Sequence, residues 1–368
     1  MIQTLLNWLS PTLRRRRLSS QFGVERLEDK TLLSGNVSVF TTGGGDVRVV
    51  GNSGDNEINV EVDGSTLRIS GVAGTTINWG AGPAEFDLSS LNIRDLRFAM
   101  GLGNDVVTMN ADLNLGGDLI LYTHGGTDTI NISGNISADK VVISGGGDAD
   151  IMNISGTTSQ DVTVVAGDDL INPTGDDDMH ISNVNSGRDF KLIASLGINS
   201  AILDNVHTNE DLRLWGSNDD DHFVISRSSA QRNLVVVTAG GQNDVGIAGV
   251  TVGKDLKILG GSGNDIVGLY GDLVDSSTSL PIGPNNVTRN LAIIMFDGDD
   301  NIEIRGEHNI GGKAYLYANG GTDDRINRTG ISDDDVGTER EFEHENEPFH
   351  IEVENELEHI ENEIETPG

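Results

Sequence analysis

One turn-plus-strand unit recurs through the middle of this 368-residue chain. A chain that repeats one short unit buries its apolar faces by stacking copies of it. The segments GLGNDVVTM, GGTDTINIS, GGGDADIMNIS, GSNDDDHFVIS, GGQNDVGIA, GGSGNDIVGL and FDGDDNIEI are variants of that unit. Anchored on an acid, they fall at Asp105, Asp128, Asp150, Asp177, Asp221, Asp244, Asp265, Asp300 and Asp324, with Ser200 in the remaining slot. A second series, including RDLRFAM, GDLILYT, QDVTVVA, RDFKLIA, EDLRLWG and KDLKILG, runs between the first. Both series keep a period near 22, and both stretch to 35 where DSSTSLPIGPNN is inserted. Two strand series that absorb an insertion in step belong to one coil.

Both series alternate with period two. In the first, the apolar residues lie two and four past the anchor, as in Ile130 and Ile132 or Phe223 and Ile225. In the second they lie one and three past it, as in Leu119 and Leu121 or Leu256 and Ile258. The expectation is an all-β chain: a parallel β-solenoid (β-helix) of about ten coils, with two principal strands per coil and coils about 4.8 Å apart. Residues 1–35 read as an export or anchoring segment with a basic run, and 36–94 as N-terminal strands capping the solenoid. Residues 95–332 are the repeat body, and 333–368 an acidic tail, either disordered or a short helix.

Composition narrows the function. The net charge of −34 excludes a nucleic-acid interface, which needs a basic surface to displace counterions from phosphates. No apolar run approaches a membrane span, and the lack of cysteine removes disulfides and thiolate metal sites. No H-E-x-x-H, G-x-S-x-G or phosphate loop is present.

Gly260, Gly261, Gly263, Asp265 and Val267 fit G-G-x-G-x-D-x-U-x, so this stretch resembles the calcium-binding repeats of the repeats-in-toxin family. The resemblance covers nine residues and implies Ca²⁺ held by carboxylates and carbonyls of adjacent turns. Asp105, Asp128, Asp221, Asp244 and Asp265 are then the candidate metal ligands, one per coil along one edge. The alternative is that each Asp caps a turn through backbone hydrogen bonds. Near the N-terminus, Leu27, Glu28, Leu32 and Leu33 resemble the LEPR-XLL segment of planctomycete surface and secreted proteins, with Asp29 and Lys30 where that motif has Pro and Arg. The resemblance implies an extracellular or bacterial cell-surface location and no activity.

The outward positions of the second series are unusually apolar, and Lys191, Arg213, Trp215, Lys257 and Leu259 form a basic-aromatic row there. Large apolar surfaces mark contacts. The cover is a loop of the same coil, a neighbouring copy, or the tail, whose Val353, Leu357, Ile360 and Ile364 share one helical stripe. A non-catalytic extracellular solenoid with a structural, adhesive or matrix role is the leading expectation. A module that binds an extracellular polysaccharide on that row, or a polysaccharide lyase or hydrolase, is the alternative.

Overall fold

Alternation puts every second side chain on one face, and parallel stacking makes those faces coincide. In the computed structural model this produces one apolar interior. The structure describes residues 35–167, 175–274, 281–318, 320–321 and 325–328. The chain divides into residues 1–33 and 34–368, and only the second unit is described below. The LEPR-XLL-like segment, Asp324 and the acidic tail lie outside the described residues.

The coils run as about nine turns with a period near 23 residues. Ladder A contains the strands that follow the glycine turns, from Glu57–Asp63 and Val106–Asn110 through Asn301–Arg305 to Arg325–Arg328. Ladder B contains the second series, from Val47–Val50 and Leu96–Leu102 through Leu291–Met295 to Ala314–Ala318. Every coil-to-coil pairing within these two ladders is parallel and in register, for example Leu119↔Val141 and Phe223↔Val245. The insertion before Asn286 leaves the register intact, so that Leu256 pairs with Leu291.

Each coil also has a third, shorter ladder that the two-series reading did not resolve. Ladder C begins at Leu113–Asn114 and continues through Ser229–Ala230, Thr251–Val252 and Asn286–Val287 to Asn309–Ile310. Its inward positions include Ala138, Ser159, Ser186, Thr208, Ala230 and Val252, all buried. Antiparallel pairing between named strands is confined to the N-terminal end. There Asn36–Thr41 pairs with Val47–Val50, and Glu57–Asp63, Thr66–Gly71 and Ala84–Asp87 form a meander. That meander extends ladder A on the N-terminal side of Glu57–Asp63 with antiparallel pairs.

The interior is a single cluster in which Leu121, Val164 and Leu256 all take part, each fully buried. Phe98, Phe190 and Phe223 are its largest fully buried side chains. Among the described residues no helix is long and apolar enough to cross a membrane.

Candidate functional site

The acid anchors of ladder A sit where each glycine turn enters its strand, and stacking aligns them into a buried column. Its members, in coil order, are Asn56, Asp105, Asp128, Asp150, Asp177, Asn199, Asp221, Asn243, Asp265 and Asp300, none more than 1% exposed. From Asn56 to Asp265, the backbone N–H of each donates to the Oδ1 of the residue stacked on it in the next coil. This chain begins with Asn56 to Asp105 at 2.7 Å, Asp105 to Asp128 at 2.6 Å, Asp128 to Asp150 at 2.7 Å and Asp150 to Asp177 at 2.8 Å. It continues through Asn199, Asp221, Asn243 and Asp265 to Asp300, at 2.9–3.3 Å. The result is an unbroken run of side-chain-to-backbone bonds between coils rather than within one turn.

The second oxygen of each carboxyl is in a less favourable position. Where the column holds asparagine, the amide nitrogen donates to carbonyls of its own turn: Asn56 to Gly54 at 2.6 Å, Asn199 to Ser195 at 2.6 Å and to Gly197 at 2.9 Å, and Asn243 to Gly240 at 2.9 Å. Where it holds aspartate, Oδ2 has no hydrogen of its own unless it is protonated. Asp221 Oδ2 accepts the Ser217 N–H at 2.6 Å, whereas Asp105 Oδ2 and Asp150 Oδ2 have no partner. Burial therefore dominates the titration. It pushes Asp105 up to about 7, Asp128 to about 6, Asp150 to about 9 and Asp177 to about 7, against hydrogen bonds that pull the other way. Asp221 and Asp265 are raised for the same reason.

Ladder B has its own acid column with the opposite electrostatics. Asp118 N–H donates to Asp95 Oδ1 at 3.2 Å, Asp211 N–H to Asp189 Oδ1 at 3.1 Å and Asn233 N–H to Asp211 Oδ1 at 2.9 Å, so these bonds point towards the preceding coil. Arginines accompany them: Arg97 on Asp95 at 2.8 Å, Arg213 on Asp211 at 2.6 Å, and Arg188 on Asp161. Burial raises Asp95, yet Arg97, the Asp118 N–H and Arg94 together hold it below its ordinary value.

Of the five candidate metal ligands, the structure brings Asp105, Asp128, Asp221 and Asp265 into the ladder A column. Asp244 lies one residue beyond it, exposed at the start of its strand and 3.2 Å from His222, while Asn243 holds the column position. Ser200 is likewise one residue past the column member Asn199. A uniform step of 22 from Asp177 through 199, 221, 243 and 265 would have selected both asparagines.

Ca²⁺ takes about six to eight oxygen ligands. The column carboxylates already use Oδ1 on backbone N–H groups and are sealed from solvent. Among the described residues no group of three or more His, Asp or Glu side chains is arranged to hold a metal. These positions, as placed, do not fit a hard cation.

The row on the outer side of ladder B is brought together. Lys191, Arg213, Val235 and Lys257 are in register, and so are Ile193, Trp215, Val237 and Leu259. Lys191 Nζ lies 6.0 Å from the Trp215 ring centroid. Trp215, Val235, Val237, Leu259 and Ile294 nevertheless form a second apolar cluster only 3–5% exposed. On ladder A, by contrast, the outward Ile151, Ile202 and Ile266 stay 36–45% exposed. No protein-family model, curated protein or solved structure matches the chain.

Proposed function

We propose that this chain is a non-catalytic extracellular or cell-surface β-solenoid with a structural, adhesive or matrix role. The observation that carries the reading is the unbroken Asp/Asn chain from Asn56 to Asp300. The most heavily buried polar groups of the fold join coil to coil, and so supply stiffness instead of converging on a cleft. The LEPR-XLL resemblance and the high negative charge support the location. Protease shaving and antibody labelling of intact cells of the source organism test it, and protein confined to the cytoplasm refutes it. Incubation with pectate, alginate and sulfated polysaccharides tests the absence of catalysis. An unsaturated, ultraviolet-absorbing product would show a lyase and overturn that part.

One observation favours a polysaccharide-binding role as a second reading. A shallow recess of about 290 Å³ on ladder A is lined by Asn131, Ser133, Asn153, Ser155, His180 and Ser182. Asn153 Nδ2 donates to Asn131 Oδ1 at 2.9 Å, which orders the amides as a ladder. Amides, hydroxyls and an imidazole on a flat wall suit sugar hydroxyls. Glycan binding that is lost in Asn153→Ala with the fold intact would support this reading. Binding unchanged in that variant would remove it.

A further inference from the structure

Ladder A carries a neutral strip on a strongly acidic molecule. Three successive strands, Val106–Asn110, Thr129–Ser133 and Ile151–Ser155, each turn three side chains to the outside, nine in all. Every one of them is uncharged, in a chain whose net charge is −34. Their register is direct, with Val106 beside Thr129 and then Ile151, and Thr108 beside Asn131 and then Asn153. Charge returns at both ends of the strip. Glu57 and Glu61 stand beside Val106 and Asn110 on one side, and Asp178 beside Ile151 on the other. The strip measures roughly 10 Å along the stack and roughly 13 Å along the strands.

Its hydrogen-bonding groups are only partly used. The Asn153 amide donates to Asn131 Oδ1 at 2.9 Å, which leaves Asn131 Nδ2 as a donor and Asn153 Oδ1 as an acceptor. Among the described residues neither atom has a protein partner, and nor do the hydroxyls of Thr108 and Ser133. Beside this polar row, Val106, the Thr129 methyl and Ile151, the last 45% exposed, form an apolar margin. A sugar ring has the same two-sided character, with an apolar C–H face and an edge of hydroxyls.

We propose that this strip takes a neutral glycan, an uncharged hexose or pentose chain rather than a uronate or a sulfated one. The inference rests on the reading of the overlapping recess as a glycan site, and it names the class of sugar. Sugar hydroxyls pair with the free amide and hydroxyl atoms, while C–H faces lie on Val106 and Ile151. A carboxylate or sulfate would meet no Lys or Arg at the nine positions, and Glu57, Glu61 and Asp178 at the ends would repel it.

Affinity electrophoresis of the full chain tests this, in gels containing glucan, mannan or xylan as neutral polymers and pectate or alginate as acidic ones. The expected result is retardation in at least one neutral gel, insensitive to added salt, and none in the acidic gels. Thr108 lies on the strip but outside the recess, so Thr108→Ala should weaken the neutral interaction about five-fold with circular dichroism unchanged. Retardation by pectate or alginate that fades with salt would overturn the neutral class while leaving a glycan site in place. Neutral binding lost in Ser182→Ala but intact in Thr108→Ala would confine the ligand to the recess and overturn the strip. A concentration-dependent dimer abolished by Thr108→Ala would give the strip to a second copy and overturn the proposal. No retardation in any gel would remove the glycan-binding reading itself, and this inference with it.

Discussion

Asp150→Asn should stabilise this protein at neutral pH, and the gain should disappear in acid. Asp150 is 1% exposed, accepts the Asp128 N–H at 2.7 Å through Oδ1, and has no partner for Oδ2. Burial, with Asp128, Asp177 and Asp148 adding repulsion, pushes its carboxyl to about 9 from an ordinary 3.8. At pH 7 the folded chain therefore holds a proton that the unfolded chain has released across about three pH units, a penalty of at most ~4 kcal/mol at ~1.4 kcal/mol per unit. An asparagine keeps the Oδ1 acceptor, ionises in neither state and supplies the amide donors that Asn199 and Asn243 already use in the same column. The side-chain amide takes the place of the carboxyl without added bulk, and the adjoining Gly145, where a Cβ would lie 2.4 Å from Asp150 Oδ2, has no side chain to crowd it. Relaxation and the coupled titration of the neighbouring acids reduce the ceiling, leaving an expected gain of about 2 kcal/mol at pH 7. Urea unfolding at pH 4 and pH 7 measures it. A variant destabilised equally at both pH values would refute the assignment of the penalty to ionisation.

The unmodified chain should itself be more resistant to urea at pH 5 than at pH 8. Carboxyls with raised folded values confer stability that is complete below pH 3.8 and is lost as pH rises through about 6 to 9. Asp128 alone corresponds to ~3 kcal/mol for its two or so units. A flat profile or a maximum above pH 8 would contradict this. Asn199→Asp should be the reverse of Asp150→Asn, costing about 2 kcal/mol at pH 8 and little at pH 4, since its carboxylate would face the carbonyls of Ser195 and Gly197. A cost independent of pH would argue against it. Gly263→Ala should cost about 3 kcal/mol or more, because φ is +125° and a Cβ there would lie 1.8 Å from the carbonyl oxygen of Gly241. A near-neutral result in thermal melts would show that the turn can rearrange. Phe223→Ala should cost about 3–5 kcal/mol through the cavity left in the shared interior, with a loss below 1 kcal/mol disproving its central place.

The interior was legible from residue pattern alone because it depends on a single property, apolarity at every second position, which Ile130, Ile132, Phe223 and Ile225 all display. Their registration followed from the insertion that both strand series share. The corner column was only partly legible, since its members were sought by charge. What the position requires is an oxygen acceptor at Oδ1, which asparagine supplies as well as aspartate. Asn199 and Asn243 were therefore passed over for Ser200 and Asp244, one residue on. Ladder C gives no signal, because its inward positions Ala138, Ser159, Thr208 and Val252 mix apolar and polar residues, and its paired stretches, such as Thr251–Val252, are too short to show alternation. The outer face of ladder B was visible as excess apolarity at Trp215, Val237 and Leu259, whereas its burial depends on chain distant in sequence.

The two acid columns show how one side chain can serve the same bonding role under opposite electrostatics. Both use Oδ1 to hold a backbone N–H across coils, and both pack at about 4.8 Å, where adjacent charges at an effective dielectric of about 20 repel by ~3.5 kcal/mol. Ladder B meets that repulsion with Arg97, Arg188 and Arg213, and Asp95 is held below its ordinary value. Among the described residues no arginine is among the groups that shift Asp105, Asp128, Asp150 and Asp177, so the repulsion there is relieved by a proton, and further along the column by an amide. Asp105, Asp128, Asp150 and Asp177 run without interruption, and three fully ionised adjacent pairs would cost ~10 kcal/mol by the same arithmetic. Asp150 is raised furthest, chiefly by burial, with Asp128, Asp177 and Asp148 adding repulsion. After Asp177 the column breaks to Asn199 and again to Asn243, so that Asp221 has an amide on either side. The formal charge of −34 counts every one of these acids as ionised. At neutral pH the folded chain is less negative than that by the protons this column retains.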